Sequence, residues 1–154
     1  MLKSAASQIA VVLLVLVLAG SAASFALAQR QKRREQMRVT ALPITVKQAQ
    51  PLIGAIERYR KENSALPKSL SILAPKYIRQ IPSAGPAAKG GWHYQVTTDW
   101  QSGGWSLSIK VRDEYSPNVM GFGDTFVFHP SGKYPDAAYG GGLRIFGKWG
   151  YYVE

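Results

Sequence analysis

An unbroken apolar run near the N-terminus constrains this chain more than any other feature of its sequence. Residues 9–18 are all apolar, and apolar and small residues continue to Ala28 without an acidic residue. About 20 such residues form a helix long enough to cross a hydrocarbon core of about 30 Å. We therefore expect residues 1–28 to be a membrane anchor or a signal peptide.

One feature of this segment favours its cleavage as a signal peptide, and another opposes it. Residues 26–28 (Ala-Leu-Ala) have the small-x-small form of a signal-peptidase site. Four cations within residues 30–34 oppose cleavage, because positive charge directly after an apolar segment hinders translocation. A cleaved signal and the reverse topology, which the positive-inside rule favours, both stay open. We favour an uncleaved anchor with its N-terminus in the cytoplasm.

The net charge of +10 is concentrated directly after the apolar segment. Residues 30–79 hold twelve Lys and Arg against three Glu, whereas residues 80–154 hold six basic and six acidic residues. A basic stretch beside an apolar span indicates contact with anionic lipid headgroups, at about 1 kcal/mol per residue near the surface. A solvated helix face that aids solubility explains the same charge equally well. We assign residues 29–43 to a basic neck.

The sequence carries no signature of a catalytic, cofactor or metal site. Without cysteine there is no disulfide, thiolate nucleophile or thiolate metal site. His93 and His129 lack the spacing partners of a zinc site, and no serine lies in a G-x-S-x-G elbow. The glycines of residues 121–123 and 140–142 do not join a strand to a helix, as those of a phosphate loop do. We expect no catalytic residue, no cofactor and no enzyme activity.

Residues 44–154 predict one α+β domain. Apolar residues at helical spacing predict an amphipathic helix over 45–63, with capping-box form at its start and a kink at Pro51. Two prolines, Pro67 and Pro75, bracket about two further helical turns, with Leu70 and Leu73 facing the core.

From Trp92 the apolar period changes from 3.6 to 2, which predicts strands. They are expected at residues 92–96, 105–111, 125–129 and 149–153, with a turn over 130–133. Consecutive strands of this kind form an antiparallel meander, and the helices would pack on one of its faces.

Several segments, in this order, resemble the pilin-like fold, in particular the major pseudopilins of type II secretion systems. They are residues 52–60 (LIGAIERYR), 66–70 (LPKSL), 73–78 (LAPKYI), 81–82 (IP) and 92–94 (WHY). In that family an amphipathic helix is followed by a short proline-bracketed helix, and a W-x-Y strand opens the sheet. The resemblance covers about residues 49–94.

The resemblance implies a structural or assembly component of a secretion or pilus-type system. Such a protein would be single-pass in the inner membrane with an extracytoplasmic, periplasmic domain, or secreted or periplasmic if cleaved after Ala28. Its partners would be membrane lipids, through the apolar helix and the neck, and sibling subunits or secretion machinery. The alternative is a non-catalytic envelope module that binds anionic lipid, glycan or nucleic acid.

Two family signals are missing from the apolar segment. Pilins and pseudopilins carry a basic leader that ends in Gly before a Phe, and a Glu five residues into the mature chain. Neither pattern is present in the apolar segment, which has no acidic residue. Leader processing and assembly through that glutamate are therefore not carried over to this chain.

Two further site hypotheses concern the sheet region. Major pseudopilins bind calcium in a loop between strands, and the comparable carboxylates here are Asp113, Glu114 and Asp124. Because hard cations take six to eight oxygens, we expect ordinary solvated carboxylates instead. Trp100 and Trp105 are candidate stacking platforms for a nucleic acid or a glycan. Core packing or capping of a loop is the role we expect for them.

Overall fold

The computed structural model describes residues 2–98, 103–116, 123–135 and 141–153. The chain divides into two compact units, Met1–Gln36 and Met37–Glu154. The first unit is helix α1, Leu2–Gln36. It contains no proline, and its alanine, leucine and basic residues are good helix formers. The helix includes both the apolar run and the four cations that follow it.

The second unit begins with a π-helical turn, Met37–Ala41, followed by helix α2, Leu42–Asn63. The prediction that this helix begins at Thr45 is wrong, because Pro43 lies in its first turn. Proline is tolerated there, since the first N–H groups of a helix have no intrahelical acceptor. Thr45 is therefore inside the helix and caps nothing. Its hydroxyl donates to the carbonyl oxygen of Ala84 at 2.9 Å.

The predicted apolar stripe of α2 faces the core. Leu52 and Ile56 are fully buried, and Ile53 and Tyr59 pack against the same cluster. The helix continues through Pro51 and ends at Ser64, which has the left-handed backbone common after helices (φ 51°).

The short helix between the two prolines is smaller than predicted. It is a 3₁₀-helix of four residues, Leu70–Leu73, rather than two turns. Ser69 and Ala74 on either side of it are extended, and a residue before proline, such as Ala74, is disfavoured in helical geometry. Leu73 is buried and Leu70 is partly buried against the core, as predicted.

Five strands form one antiparallel sheet, and four of them match predicted strands. They are β1 His93–Val96, β2 Trp105–Lys110, β3 Thr125–Phe128, β4 Gly142–Phe146 and β5 Trp149–Val153. Their order is β1-β2-β3-β5-β4, so β5 lies between β3 and β4. The predicted simple meander is therefore wrong beyond β3, and β4 was missed. Strand β4 begins at Gly142, the last of three consecutive glycines, which do not predict a strand.

Aromatic side chains from the sheet form part of the core. Phe126 and Trp149 stack with ring centroids 4.7 Å apart, and Trp105 and Phe128 pack at 5.6 Å. These side chains belong to the same buried cluster as the apolar face of α2. A helix on one face of an antiparallel sheet is the α+β arrangement that the sequence predicted.

The segment after β3 packs on the sheet at Gly150. The Tyr134 hydroxyl donates to the Lys148 carbonyl oxygen at 2.6 Å and accepts from the His129 N–H at 3.2 Å. Its ring lies so close to Gly150 that a Cβ there would be 2.6 Å from Tyr134 Cδ1. The predicted turn over 130–133 is present, with the Gly132 N–H bonded to the His129 carbonyl at 2.9 Å.

Candidate membrane anchor and cation collar

The apolar part of α1 is uncovered by the rest of its own unit. Its large apolar side chains between Val11 and Leu27 are 57% to 66% exposed. By length and composition this helix is able to cross a membrane, and its most apolar stretch is 0% buried. The core helix of a water-soluble domain buries its apolar stripe against its own chain. An apolar surface of this size requires lipid or another protein as cover.

Polar side chains within this stretch are satisfied by the helix itself. Between residues 11 and 28 the only polar side chains are Ser21 and Ser24. Their hydroxyls donate to the carbonyl oxygens of Val17 at 2.8 Å and Gly20 at 2.9 Å. Such bonds one turn back remove the main cost of placing a hydroxyl in hydrocarbon. The stretch is therefore compatible with a lipid interior along its whole length.

Four cations follow at once, and we call them the cation collar: Arg30, Lys32, Arg33 and Arg34. At 100° per residue they point in directions of about 0°, 200°, 300° and 40° around the helix axis. They rise over only about 6 Å. Three are exposed and Arg34 is half-buried. The collar covers about 200° of the helix circumference, which is more than a stripe on one face, and leaves about 160° without a cation.

The three candidate calcium ligands are each engaged by a different partner. Asp113 accepts from Lys89 Nζ at 2.8 Å, and Glu114 accepts from Arg112 at 3.0 Å. Both carboxylates are exposed. Within the described ranges, no group of three or more His, Cys, Asp or Glu residues is placed to hold a metal ion.

Asp124 differs from the solvated carboxylate that the sequence suggested, because it is only 1% exposed. It accepts a 2.5 Å hydrogen bond from the Tyr151 hydroxyl, and its own N–H donates to Ser116 Oγ at 3.1 Å. The Arg38 guanidinium lies 5.5 Å from the Tyr151 ring centroid. No local sequence pattern indicates this cluster, because its members are far apart along the chain. We interpret it as a structural polar cluster in the core.

The other residues singled out by sequence do not converge on a site. His93 is exposed on β1, and His129 follows β3 with its ring 5.0 Å from that of Tyr134. Trp105 is fully buried, so its predicted core role is confirmed and it offers no stacking surface. Trp100 and the glycines at positions 121 and 140 lie outside the described residues.

An open cleft of about 350 Å³ lies between the residues that precede β1 and the residues that follow β2. Its lining residues are Ala88, Lys89, Gly90, Arg112, Asp113 and Glu114. The cations and carboxylates in it form two ion pairs with each other, Lys89 with Asp113 and Arg112 with Glu114. The charges of the cleft are therefore balanced locally.

The pKa values of four described groups are shifted by their surroundings. Burial, with the nearby charge of Glu57, raises the pKa of Tyr94 to about 12. Burial also raises the pKa of Tyr134. Hydrogen bonds from Lys76 and Tyr77 lower the pKa of the Glu62 carboxyl at the end of α2, and the same bond to Glu62 raises the pKa of Lys76. The causes are burial and contacts within the second unit.

Among the described residues, the uncovered apolar helix with its collar is therefore the candidate functional element. No family model, curated protein or solved structure matches the sequence or the fold. Function is therefore inferred from the residues of this chain.

Proposed function

We propose that this chain is a membrane-anchored, pilin-like structural component that assembles through its membrane helix with copies of itself or sibling subunits. The observation that carries the proposal is the exposure, by more than half, of the large apolar side chains of α1 between Val11 and Leu27. Lipid covers such a surface, and within lipid a helix of small and apolar residues associates by close packing.

The second unit supports the pilin-like part of the proposal. An amphipathic helix, a short helix near two prolines and an antiparallel sheet follow the apolar helix in that order. This is the order of elements that the resemblance to pseudopilins implies. Because residues 1–28 contain no acidic residue, subunit contacts within the membrane would depend on apolar packing and not on a buried carboxylate.

Because the chain has no cysteine, disulfides in a cross-linking test form only at the cysteines that are introduced. Single cysteines placed in turn at positions 11–18 of the full chain, expressed in a bacterial inner membrane, are oxidised and the disulfide-linked dimers are measured. We expect dimers at positions three or four residues apart, which share one helix face. Lys61→Cys, an exposed position on α2, is the control. If no position in α1 exceeds this control, assembly through the helix is refuted.

Localisation is tested with the same control variant. We propose an uncleaved single-pass anchor in the inner membrane with the domain on the extracytoplasmic side. A membrane-impermeant maleimide added to intact spheroplasts should then label Lys61→Cys, and the mass of the purified chain should include residues 1–28. Labelling only after lysis would establish the reverse topology. A mature N-terminus at Gln29 would establish a cleaved signal peptide.

A further inference from the structure

We infer that the cation collar is a binding site for anionic phospholipid headgroups of the leaflet on the domain side of the membrane. The inference rests on the proposed membrane anchoring and adds the lipid class and the residues that select it. Its first support is position along the helix. Residues 9–28 rise about 30 Å, the thickness of a hydrocarbon core, and the collar begins two residues later.

The second support is the height of the collar. The headgroup region on each side of a bilayer is about 5–7 Å thick, given about 30 Å of hydrocarbon within about 40–45 Å in total. The four cations rise over about 6 Å. When residues 9–28 fill the hydrocarbon, the backbone of the collar lies about 3–9 Å beyond it, from inside the headgroup layer to its outer edge.

The third support is the distribution of the collar around the axis. Lipids surround a spanning helix on all sides, and cations at about 0°, 40°, 200° and 300° meet headgroups over about 200° of the circumference. A duplex nucleic acid presents its phosphates from one side and matches a stripe of cations on one face. In the described part of the chain, none of the four cations forms a hydrogen bond or an ion pair. Their charge is available for phosphate oxygens.

The test measures which lipid lies beside the helix. The full chain is placed in nanodiscs of phosphatidylcholine with a trace of spin-labelled phosphatidylglycerol or spin-labelled phosphatidylcholine. The motionally restricted fraction of each spin label reports the lipid in contact with the protein. At about 1 kcal/mol per cation near an anionic headgroup, we expect about a fivefold preference for phosphatidylglycerol. The preference should fall at 1 M salt, where the Debye length shrinks to about 3 Å.

Two variants with the same net charge distinguish the effect of the collar on lipid preference from the effect of net charge. The collar variant is R30Q/K32Q/R33Q/R34Q. The matched control is K47Q/K61Q/K68Q/R79Q, which removes four exposed cations of the second unit. We expect the preference to fall to about one in the collar variant and to stay at the wild-type value in the control.

Several outcomes overturn the inference. The inference is wrong if the wild-type chain shows no preference for phosphatidylglycerol. It is also wrong if the collar variant keeps the preference, or if the control variant loses as much of it as the collar variant does. Binding of a duplex DNA oligonucleotide to wild-type chain in pure phosphatidylcholine discs, lost in the collar variant, would reassign the collar to nucleic acid. If the chain inserts but shows no preference, only the lipid assignment fails. If it does not insert, the proposed anchoring fails as well.

Discussion

The indole Nε1 of Trp105 donates a hydrogen bond to Glu57 Oε1 across 3.1 Å. Trp105 is fully buried on β2 and Glu57 is on α2, so the bond joins the helix to the sheet. Replacing Glu57 with Leu leaves the indole N–H without this acceptor. A buried polar group that loses its partner costs about 1–3 kcal/mol.

We expect Glu57→Leu to lower the free energy of unfolding by about 1–3 kcal/mol, and Glu57→Gln, which keeps an acceptor oxygen, to lower it by less than about 1 kcal/mol. Urea unfolding of the full chain in a non-ionic detergent, followed by tryptophan fluorescence, measures both. Equal losses in the two variants would contradict a role for the hydrogen bond.

Ile56 packs in the core on the apolar face of α2. Because it has no exposed surface, Ile56→Ala should destabilise the second unit by about 2–5 kcal/mol. The same substitution at Ile44, 44% exposed on the same helix, should change stability by less than about 0.5 kcal/mol. The difference in urea midpoint is the measurement. A small effect at Ile56 would refute the packing described for α2.

Gly150 is required by the ring of Tyr134. A Cβ at position 150 would lie 2.6 Å from Tyr134 Cδ1, and the hydrogen bond to Lys148 resists movement of that ring. We expect Gly150→Ala to cost about 1–3 kcal/mol.

A double-mutant cycle isolates this contact. In a Tyr134→Ala background the clash is gone, so Gly150→Ala should be almost neutral. The coupling energy from urea unfolding of the four chains is the readout. Additive losses would mean that Gly150 is needed for another reason.

Tyr94 should make the protein less stable at high pH. Its pKa is about 12 in the folded chain against 10.0 ordinarily. The unfolded chain therefore loses this proton first, and the stabilisation, present in full below pH 10, declines as the pH rises towards 12. Tyr94→Phe should show a shallower decline in unfolding free energy over this window. Parallel declines in the two proteins would refute the assignment to Tyr94.

The Tyr94 hydroxyl is buried and has no hydrogen-bond partner among the described residues. At neutral pH, Tyr94→Phe should therefore leave the unfolding free energy unchanged or raise it by up to about 1 kcal/mol. Urea unfolding at pH 7 measures the change, and a marked loss of stability would indicate that the hydroxyl is satisfied in solution.

Local patterns made much of the fold predictable. The stripe of Leu52 and Ile56 follows helical period, and Trp105, Leu107 and Ile109 alternate as a half-buried strand does. Strand β4 was not predictable in the same way. It begins at Gly142, and Ile145 is 56% exposed, so neither composition nor burial marks it. Its place outside β5 depends on pairing between distant segments, which no local pattern encodes.

The candidate site was predictable where it depends on composition and spacing. The apolar run and the four cations are contiguous in sequence, and helical geometry alone then distributes the cations around the axis. Asp124 was not predictable, because burial of its carboxylate depends on Tyr151, a contact between strands. The predicted start of α2 is wrong because the capping-box pattern, a Thr with a Gln three residues later, also occurs inside helices.

The position of β5 between β3 and β4 has a consequence for biosynthesis. Strand β3 pairs on one side with β2, which precedes it, and on the other only with β5. A ribosome supplies the chain in sequence order, so β3 stays an open edge and β4 has no partner until Trp149–Val153 has been made. During that interval Phe126 and Phe128 lack the cover of Trp149. Until the last strand is in place, the open edge of β3 is therefore exposed to wrong pairing.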